Sequence, residues 1–454
     1  MNSTDYPFQA AVETICPKTG HGLIMHGKRK LTAKGVFPPQ TIHYQLSKNK
    51  RAIQAFITLP DQELKNSLCP HYFTCNGCAL LPLPIDLQLG HKQQLVNQLF
   101  QDDKIKPIIS NPTPNHYRNK AEFTFTQNLE GNKRLGFMDT QRRGHSFTIS
   151  QCSIIPPWMV EAGQITEKLF QKHSIEAFFL PKMKGDLKNL MLRSNSDQTQ
   201  FMFACVVQDR TITCHPFFSD WIHTLANHFS DRKLSFYAIE QQVRKGTPTT
   251  VEAIHLCHEK QIDETITVTI NHHTKSYVFP IEPLTFFQPN PVAAKGLYQK
   301  AIEALHLSSD DVLGDLYCGI GTFGMIASPH VKKVVGIEIV QPSVTLGLKA
   351  LERNHISNME ILHGDVSDLI SQQMEFGITK VIIDPPRAGL DQRVIQALSK
   401  MQPLKIAYIS CNPHTQARDA TLIQRAGYTI EAIMPVDQFT HTPHLENIVV
   451  FKKS

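Results

Sequence analysis

Apolar runs of strand-like length alternate with runs of helical length from about residue 276 onward. The strand-like runs are Val312–Tyr317, Lys333–Ile339, Lys380–Asp384 and Lys405–Ser410. The helix-like runs are Pro342–His355, Asp391–Met401 and His414–Ala426. This alternation leaves few folds open, because two parallel strands need a crossover, usually a helix, between them. It predicts a parallel, doubly wound α/β sheet over residues 276–454.

The rest of the chain divides into two parts, since 454 residues are too many for one compact core. Residues 1–60 hold short β-prone runs between glycine and proline turns, which predicts a small N-terminal β-barrel. These runs are Gln9–Ile15, Thr41–Leu46 and Ala52–Leu59. Residues 61–275 predict a central mixed α+β domain, with strands at Ala121–Phe125, Phe201–Val207 and Thr265–Ile270. We therefore expect a multidomain α/β protein.

The composition indicates an ordinary globular chain and excludes a membrane-spanning one. Hydrophobic residues make up 41% and charged residues 19%, and no run is apolar enough to cross a bilayer. The first residues, Met1–Asp5, have neither a basic start nor an apolar run, so we expect a cytoplasmic protein without a secretory signal. In that compartment, ten cysteines are expected to be free thiols, ligands or nucleophiles.

Positive charge is concentrated at the N-terminal end. Residues 1–68 hold nine lysines and arginines against four acids, so most of the net charge of +6 lies there. Such a segment can bind phosphates electrostatically. A merely solvated basic face is the alternative interpretation.

The strand Val312–Tyr317 runs into a Gly-x-Gly-x-x-Gly loop at Gly319–Gly324. Glycines there let the backbone approach a ligand, and an acid at the end of the next strand, Glu338, can hold ribose hydroxyls. Both dehydrogenases and methyltransferases have this arrangement. Asp315 favours S-adenosylmethionine over a dinucleotide, because an acid would repel a pyrophosphate. Asp365, which closes a third strand, could hydrogen-bond the adenine amino group.

Two later strands end in motifs with reactive side chains. Lys380–Asp384 leads into Asp384–Gly389, and Lys405–Ser410 leads into Ser410–Pro413, which contains Cys411. Both ends belong to the carboxyl edge of the sheet, where open α/β sheets bind ligands. A cysteine at the start of a helix is expected to have its thiolate favoured. A thiolate added to carbon 6 of uracil would make carbon 5 nucleophilic enough to accept a methyl group.

Release of such an adduct needs a base that removes the proton from carbon 5. Glu446, just ahead of the last strand Asn447–Phe451, is the best candidate. His441 and His444 are competing candidates, although isolated histidines are more often structural.

Three cysteines form a Cys-x5-Cys-x2-Cys motif at Cys69, Cys75 and Cys78, and Cys152 is the nearest following cysteine. Four thiolates could hold a [4Fe–4S] cluster or a structural zinc. Zinc sites more often come as two Cys-x2-Cys pairs, so the spacing favours iron and sulfur. A redox pair at Cys75 and Cys78 would leave Cys69 unexplained.

Together these motifs resemble the RNA uridine 5-methyltransferases, in particular the iron–sulfur members that act on 23S ribosomal RNA. The resemblance covers nearly the whole chain. It implies a C-terminal Rossmann-like class I methyltransferase domain, a central iron–sulfur and RNA-binding domain and an N-terminal barrel of the OB or TRAM type. It also implies that Cys411 is the nucleophile and Glu446 the base. The cluster ligands that the resemblance implies are Cys69, Cys75, Cys78 and Cys152.

The resemblance also assigns the cofactor contacts for S-adenosyl-L-methionine. Phe286–Asn290 is similar to the family's entry segment to this domain. The implied contacts are Gln288, Tyr317, Thr322, Glu338, Asp365 and Asp384. The chain departs from the family pattern at Thr440, where proline is usual, at Gln416, where leucine is usual, and at Pro39–Thr41 in the barrel. None of these changes removes a catalytic or cluster residue.

The function expected from the sequence is methylation of uridine carbon 5 in 23S ribosomal RNA, with no membrane and no obligate protein partner. The same chemistry on the T-loop of transfer RNA is an alternative, as is a non-catalytic RNA-binding assembly factor. A dehydrogenase would leave Cys411 and the cysteine motif without a role.

Overall fold

The computed structural model describes residues 6–48, 51–58, 69–243, 246, 249–372 and 377–454. The first part is a five-stranded antiparallel sheet in the order β3-β2-β1-β4-β5. Its strands are β1 (Phe8–Ile15), β2 (Gly22–His26), β3 (Arg29–Ala33), β4 (Thr41–Leu46) and β5 (Ile53–Thr58). The edge strands β3 and β5 contact each other. Closure into an OB- or TRAM-like barrel stays a prediction, and Leu59 of the third predicted run lies outside the described residues.

The central part is built on a second, mixed sheet in the order β12-β11-β10-β9-β6-β7-β8. Its strands are β6 (Lys120–Gln127), β7 (Lys133–Met138), β8 (Ser146–Phe147), β9 (Leu187–Ser194), β10 (Gln200–Val207), β11 (Lys233–Gln242) and β12 (Thr250–His258). Only β10 and β11 pair in parallel among the described ladders of this sheet. Helices α2 (Pro157–Lys172) and α3 (Pro216–His228) cover it, and Phe123, Trp158, Phe203 and Trp221 are buried in its core.

Two elements outside these sheets pack on the C-terminal part. Helix α1 (Ile85–Phe100) buries Leu95 and Val96 in the same apolar cluster as Ile433 and Phe451. The hairpin of β13 (Ile262–Ile270) and β14 (His273–Ile281) packs on helices of the C-terminal domain. Strand β14 spans the limit predicted at residue 275, and the three domain limits stay predictions.

The C-terminal sheet has the order β17-β16-β15-β18-β19-β21-β20. Its strands are β15 (Val312–Leu316), β16 (Lys333–Glu338), β17 (Met359–His363), β18 (Lys380–Ile383), β19 (Lys405–Ser410), β20 (Tyr428–Val436) and β21 (Glu446–Lys453). The helices are α4 (Pro291–Leu305), α5 (Thr322–Ala327), α6 (Gln341–Arg353), α7 (Val366–Gln372), α8 (Gln392–Met401) and α9 (Pro413–Arg425). Short 3₁₀ turns lie at Leu180–Lys182, Arg210–Cys214 and Ser328–His330.

The doubly wound sheet is confirmed, with one difference from the fully parallel prediction. Strand β21 runs antiparallel and inserts between β19 and β20. The strand order reverses between β15 and β18, which opens a crevice at their carboxyl ends. No helix in the described part of the chain is long and apolar enough to cross a membrane.

Candidate active site

Most of the predicted site residues lie in the crevice where the strand order reverses, between β15 and β18. The residues at this edge are Asp315, Tyr317, Glu338, Asp365, Asp384, Cys411 and Glu446. Asp315 and Tyr317 lie at the end of β15, the next four residues lie at or just after the ends of β16, β17, β18 and β19, and Glu446 is the first residue of β21.

The glycine loop bends tightly around the end of β15. Gly319 and Gly321 have φ values of 58° and 84°, in the left-handed region that favours glycine. The Gly324 N–H donates to Asp315 Oδ2 at 2.8 Å. A Cβ atom at Gly324 would lie 2.9 Å from that oxygen, so this close approach requires glycine. Thr322, the first residue of α5, is buried beneath the loop.

Three acids in the crevice differ in whether their carboxylate oxygens are already hydrogen-bonded to the protein. Burial raises the pKa of Asp315 to about 7, and its Oδ1 has no hydrogen-bond partner among the described residues. Burial likewise raises the pKa of Asp384 to about 7. Glu338 accepts hydrogen bonds from the N–H groups of Gly319 and Val340, each at 2.8 Å. Buried carboxyls with raised pKa values suit a cationic ligand, such as one carrying a sulfonium and an ammonium group.

Besides Glu338, two more of the predicted cofactor residues, Asp365 and Gln288, are hydrogen-bonded to the protein. Asp365 accepts from the Ser367 N–H at 2.7 Å and from the Ser367 hydroxyl, and these bonds lower its pKa. Gln288 is buried, and its Oε1 accepts from Gln438 Nε2 at 2.5 Å. Asp365 therefore caps α7 with one oxygen and has the other for a ligand. The contacts predicted for Tyr317 and Thr322 stay predictions.

Cys411 is half-buried between β19 and α9, and its environment differs from the expected one. Burial, and then the nearby Glu446, raise the pKa of the Cys411 thiol above its ordinary value. The prediction that the helix start lowers this pKa is wrong in direction, because burial and Glu446 outweigh the groups that favour the thiolate. A hydrogen bond from Arg387 acts in the opposite direction and favours the thiolate.

Glu446 is buried at the first residue of β21, opposite Val436 on β20. Burial and the neighbouring Asp384 raise its pKa well above the ordinary value, and Arg387 counteracts them. The competing His441 has both ring nitrogens engaged, at 3.2 Å from Gln88 Nε2 and 3.1 Å from Asn115 Oδ1. These bonds favour Glu446 over His441 as the base.

Side chains from distant parts of the chain line a cavity of about 320 Å³ at Cys411. Arg387, His414 and His444 come from the C-terminal domain, and exposed Lys18 comes from the β1–β2 turn. The sequence motif contained Arg387, but nothing in the sequence placed it against the thiol. Lys18 belongs to the basic N-terminal segment, but nothing in the sequence placed it at this cavity, because its position there depends on how the first sheet docks.

Gln416, where the family pattern has leucine, is fully buried below the site. Its Nε2 donates to Tyr408 O at 2.8 Å and to Asn447 O at 2.9 Å, and its Oε1 accepts from Asn447 Nδ2 at 2.8 Å. It thus joins β19 to β21 next to Cys411 and Glu446.

The four predicted cluster cysteines lie together in space. Cys69, Cys75, Cys78 and Cys152 line one cavity of about 510 Å³ between the segment before α1 and the central sheet. Among the described residues, no three His, Cys, Asp or Glu side chains converge closely enough to hold a single ion. Four cysteine thiols around one cavity are the donor set that a [4Fe–4S] cluster takes, so the residues present fit such a group, which stays a prediction.

A doubly wound sheet with a glycine loop at its reversal point is shared by dehydrogenases and S-adenosylmethionine-dependent methyltransferases, and the buried carboxyls favour the cationic cofactor of the methyltransferases. The sequence pattern of the tRNA (uracil-5-)-methyltransferase family matches residues 239–454. The chain belongs to the family of RNA uracil-5-methyltransferases, and the expectation of an enzyme, an RNA methyltransferase, is confirmed.

Two relatives are named as RNA methyltransferases, and one solved structure shares the fold. An uncharacterised RNA methyltransferase of Protochlamydia amoebophila is 33% identical over 409 residues, which is 87% of this chain and 92% of that protein. One from Oceanobacillus iheyensis is 31% identical, over 82% of this chain and 80% of its own. The Pyrococcus abyssi tRNA (uracil-54, C5)-methyltransferase, solved with S-adenosyl-L-homocysteine, shares the fold with a TM-score of 0.75 at 21% identity. That match covers 98% of this chain and 100% of the other.

Proposed function

We propose that this enzyme methylates carbon 5 of a uridine in 23S ribosomal RNA, through a covalent adduct on Cys411 that Glu446 resolves. The observation that carries the proposal is the pairing of a half-buried thiol with a buried carboxyl at the mouth of the cofactor crevice. Neither group alone would be unusual. Together they supply the nucleophile and the base that carbon 5 chemistry needs.

S-adenosyl-L-methionine supplies an electrophilic methyl group on a positively charged sulfur. Asp315 and Asp384 would face its charged end, because both are buried and their pKa values are raised to about 7 in the free protein. Glu338 would hold the ribose and Asp365 the adenine amino group. The remaining proposed contacts are Gln288, Tyr317 and Thr322.

Cys411 would attack carbon 6 of the uracil after losing its proton. Arg387 hydrogen-bonds the sulfur and opposes the effect of burial on its pKa, so it supports the thiolate. Carbon 5 of the resulting enolate takes the methyl group. Glu446 then removes the carbon 5 proton, the carbon 5–carbon 6 double bond re-forms, and the sulfur leaves. A carboxyl with a raised pKa suits this step, because a base works best when its pKa is near the working pH.

The cysteine cavity supports a [4Fe–4S] cluster held by Cys69, Cys75, Cys78 and Cys152. Its role would be structural, since uridine methylation needs no electron transfer. Protein purified without oxygen is expected to be brown and to contain about four irons per chain. Colourless protein with stoichiometric zinc would contradict this part of the proposal.

The choice of 23S ribosomal RNA as the substrate rests on the resemblance of the four-cysteine site to that of the family members that act on ribosomal RNA. Transfer RNA is the second candidate, because the matching family pattern and the Pyrococcus neighbour are both described as tRNA methyltransferases. Labelled methyl transfer to 23S ribosomal RNA and to transfer RNA, each lacking 5-methyluridine, separates the two. Transfer to transfer RNA alone would overturn the ribosomal target.

The role of the thiol is tested in the same assay. Cys411→Ala should reduce methyl transfer to background, whereas Cys214→Ala, at an exposed thiol, should leave it unchanged. Full activity of Cys411→Ala would contradict the mechanism.

A further inference from the structure

The segment between β20 and β21, residues 437–445, leads directly to the proposed base; we name it the base loop. Val436 pairs with Glu446 on the last rung of the β20–β21 ladder. Asp437 is therefore the first residue beyond the rung that holds Glu446. A contact that holds Asp437 in place therefore also holds the start of the base loop, next to Glu446.

A lysine from a distant helix fixes Asp437. Lys92 of α1 places its Nζ 2.5 Å from Asp437 Oδ1 and 3.1 Å from Phe439 O. The two charged side chains are 0% and 1% exposed. The other carboxylate oxygen of Asp437 accepts from the Thr440 hydroxyl at 2.7 Å. One buried ion pair thus organises the first half of the base loop.

Helix α1 also holds the second half of the loop, one helical turn earlier. Gln88 Oε1 accepts from the His441 N–H at 2.8 Å. The His441 carbonyl in turn accepts from the Leu80 N–H at 2.9 Å. The base loop is therefore fastened at Asp437 and at His441 by residues more than 340 positions away in sequence.

The buried ion pair of Lys92 and Asp437 is poorly explained by a contribution to folding stability alone. A buried ion pair can often be replaced by apolar side chains of similar size without loss of stability, whereas loss of one partner leaves an uncompensated buried charge. Other side chains already bond the middle of the loop, with Tyr117 and Asn290 donating to the carbonyls of Thr440 and Gln438. What the pair adds is a fixed place for Asp437, the residue next to the rung that holds Glu446. A proton transfer needs such fixed placement, because the base must lie within hydrogen-bond reach of its proton.

We propose that Lys92 is a positioning residue for the release step, holding the base loop so that Glu446 faces carbon 5 of the bound uracil. This rests on the function proposed above. In that step the carbon 5–hydrogen bond breaks and its proton goes to Glu446. Its electrons re-form the carbon 5–carbon 6 double bond, and the carbon 6–sulfur bond breaks to return Cys411 as thiolate. Attack by Cys411 and methyl transfer precede it and do not depend on the base.

The test is a single-turnover reaction with substrate RNA and S-adenosylmethionine, in which the covalent RNA–protein adduct is followed on denaturing gels. In Lys92→Met the adduct should form at nearly the normal rate and decay about 10- to 100-fold more slowly, as expected for a misplaced catalytic group. The kcat should fall by the same factor, while KM for RNA changes less than about twofold. Lys92→Arg should recover part of the release rate.

Two further variants separate positioning from stability. Lys92→Met combined with Asp437→Leu replaces the pair by apolar groups, and should regain thermal stability but not adduct release. Lys188→Met removes another buried lysine, one that donates to the Gln241 carbonyl in the central sheet, and should release the adduct normally. If the double variant releases at the normal rate, Lys92 has no positioning role.

The Glu446→Gln variant separates a failure of the positioning proposal from a failure of the proposed function. It should trap the adduct completely. If it traps while Lys92→Met and the double variant release normally, only the positioning proposal is overturned. If Glu446→Gln releases the adduct normally, the base assignment is overturned, and the positioning proposal with it.

Discussion

Asp315 and Asp384 are acids that the fold buries beside each other, and their ionisation depends on what lies in the crevice. With pKa values raised to about 7, both are largely neutral at pH 6 and largely ionised at pH 8 in the free protein. A cationic cofactor favours the ionised forms, so its binding should release protons. The raised pKa values have the opposite effect on folding, because they make the folded protein less stable, not more, as the pH rises. A carboxyl with a raised folded-state pKa stabilises the protein at low pH, and this contribution is lost as the pH rises through 7.

S-adenosylmethionine is therefore expected to bind more tightly as the pH rises from 6 to 8, by about 3- to 10-fold for one group with a pKa near 7. Asp384→Asn should reduce this dependence to the part that comes from Asp315. The control is Asp365→Asn: the pKa of Asp365 is lowered, so the side chain is ionised throughout, and the variant should bind more weakly with an unchanged slope. Calorimetry in buffers of different ionisation enthalpy measures both affinity and proton release. An affinity for the cofactor that does not change with pH would contradict the proposed contact.

At the level of single residues, the sequence could predict Cys411 and Glu446 as candidates because each follows or precedes a strand that could be recognised locally; their roles stay predictions. Its prediction that the Cys411 thiolate is favoured was wrong, because the direction of this pKa shift depends on burial and on Glu446 and Arg387 from elsewhere in the sheet. The sequence also could not decide whether His441 is an alternative base, because the hydrogen-bond partners of its ring come from α1 and from the segment before β6. Long-range contacts of this kind leave no local pattern.

At the level of elements, the alternation of strands and helices was enough to predict the doubly wound sheet, since each strand is an apolar run of its own. Insertion of β21 between β19 and β20 was not predictable, because its partners are set by packing rather than by its own pattern. The docking of α1 on the C-terminal domain was missed for the same reason. Both features matter, because they place Glu446 and the base loop.

Gln416 is expected to stabilise the join between β19 and β21. Gln416→Leu leaves the carbonyls of Tyr408 and Asn447 without this buried donor, and should lower the free energy of unfolding by about 1–3 kcal/mol. Gln424→Leu, on the exposed side of the same helix, should change it by less than about 0.5 kcal/mol. Urea denaturation measures both. Equal stability of the two variants would show that the hydrogen bonds of Gln416 contribute little.

The β1–β2 turn is expected to contact RNA, because it brings Lys18 to the cavity at Cys411. Lys18→Ala should raise KM for RNA several-fold, should reduce the salt dependence of RNA binding by about one phosphate contact, and should leave cofactor affinity unchanged. The matched control is Lys28→Ala, at the exposed β2–β3 turn outside this cavity. If Lys28→Ala has the larger effect, the sheet presents a different face to RNA.

At the level of the whole molecule, three parts of the chain meet at one crevice. The first sheet contributes Lys18, helix α1 fastens the base loop, and the C-terminal sheet carries the thiol, the base and the acidic crevice. The sequence predicted parts of these kinds but not their convergence, which is a property of docking between elements far apart in the chain. The cysteine segment immediately precedes α1, so a cluster there would brace the same junction.

The central claim is that the RNA is held covalently by Cys411 and released by Glu446. The most direct test is to incubate Glu446→Gln with substrate RNA and S-adenosylmethionine, digest the complex with trypsin and ribonuclease, and map the adduct by mass spectrometry. The peptide that contains Cys411 should carry a methylated uridine nucleotide, and Cys411→Ala in the same background should carry none. An adduct on another cysteine, or methylated RNA formed in the Cys411→Ala variant, would contradict the account.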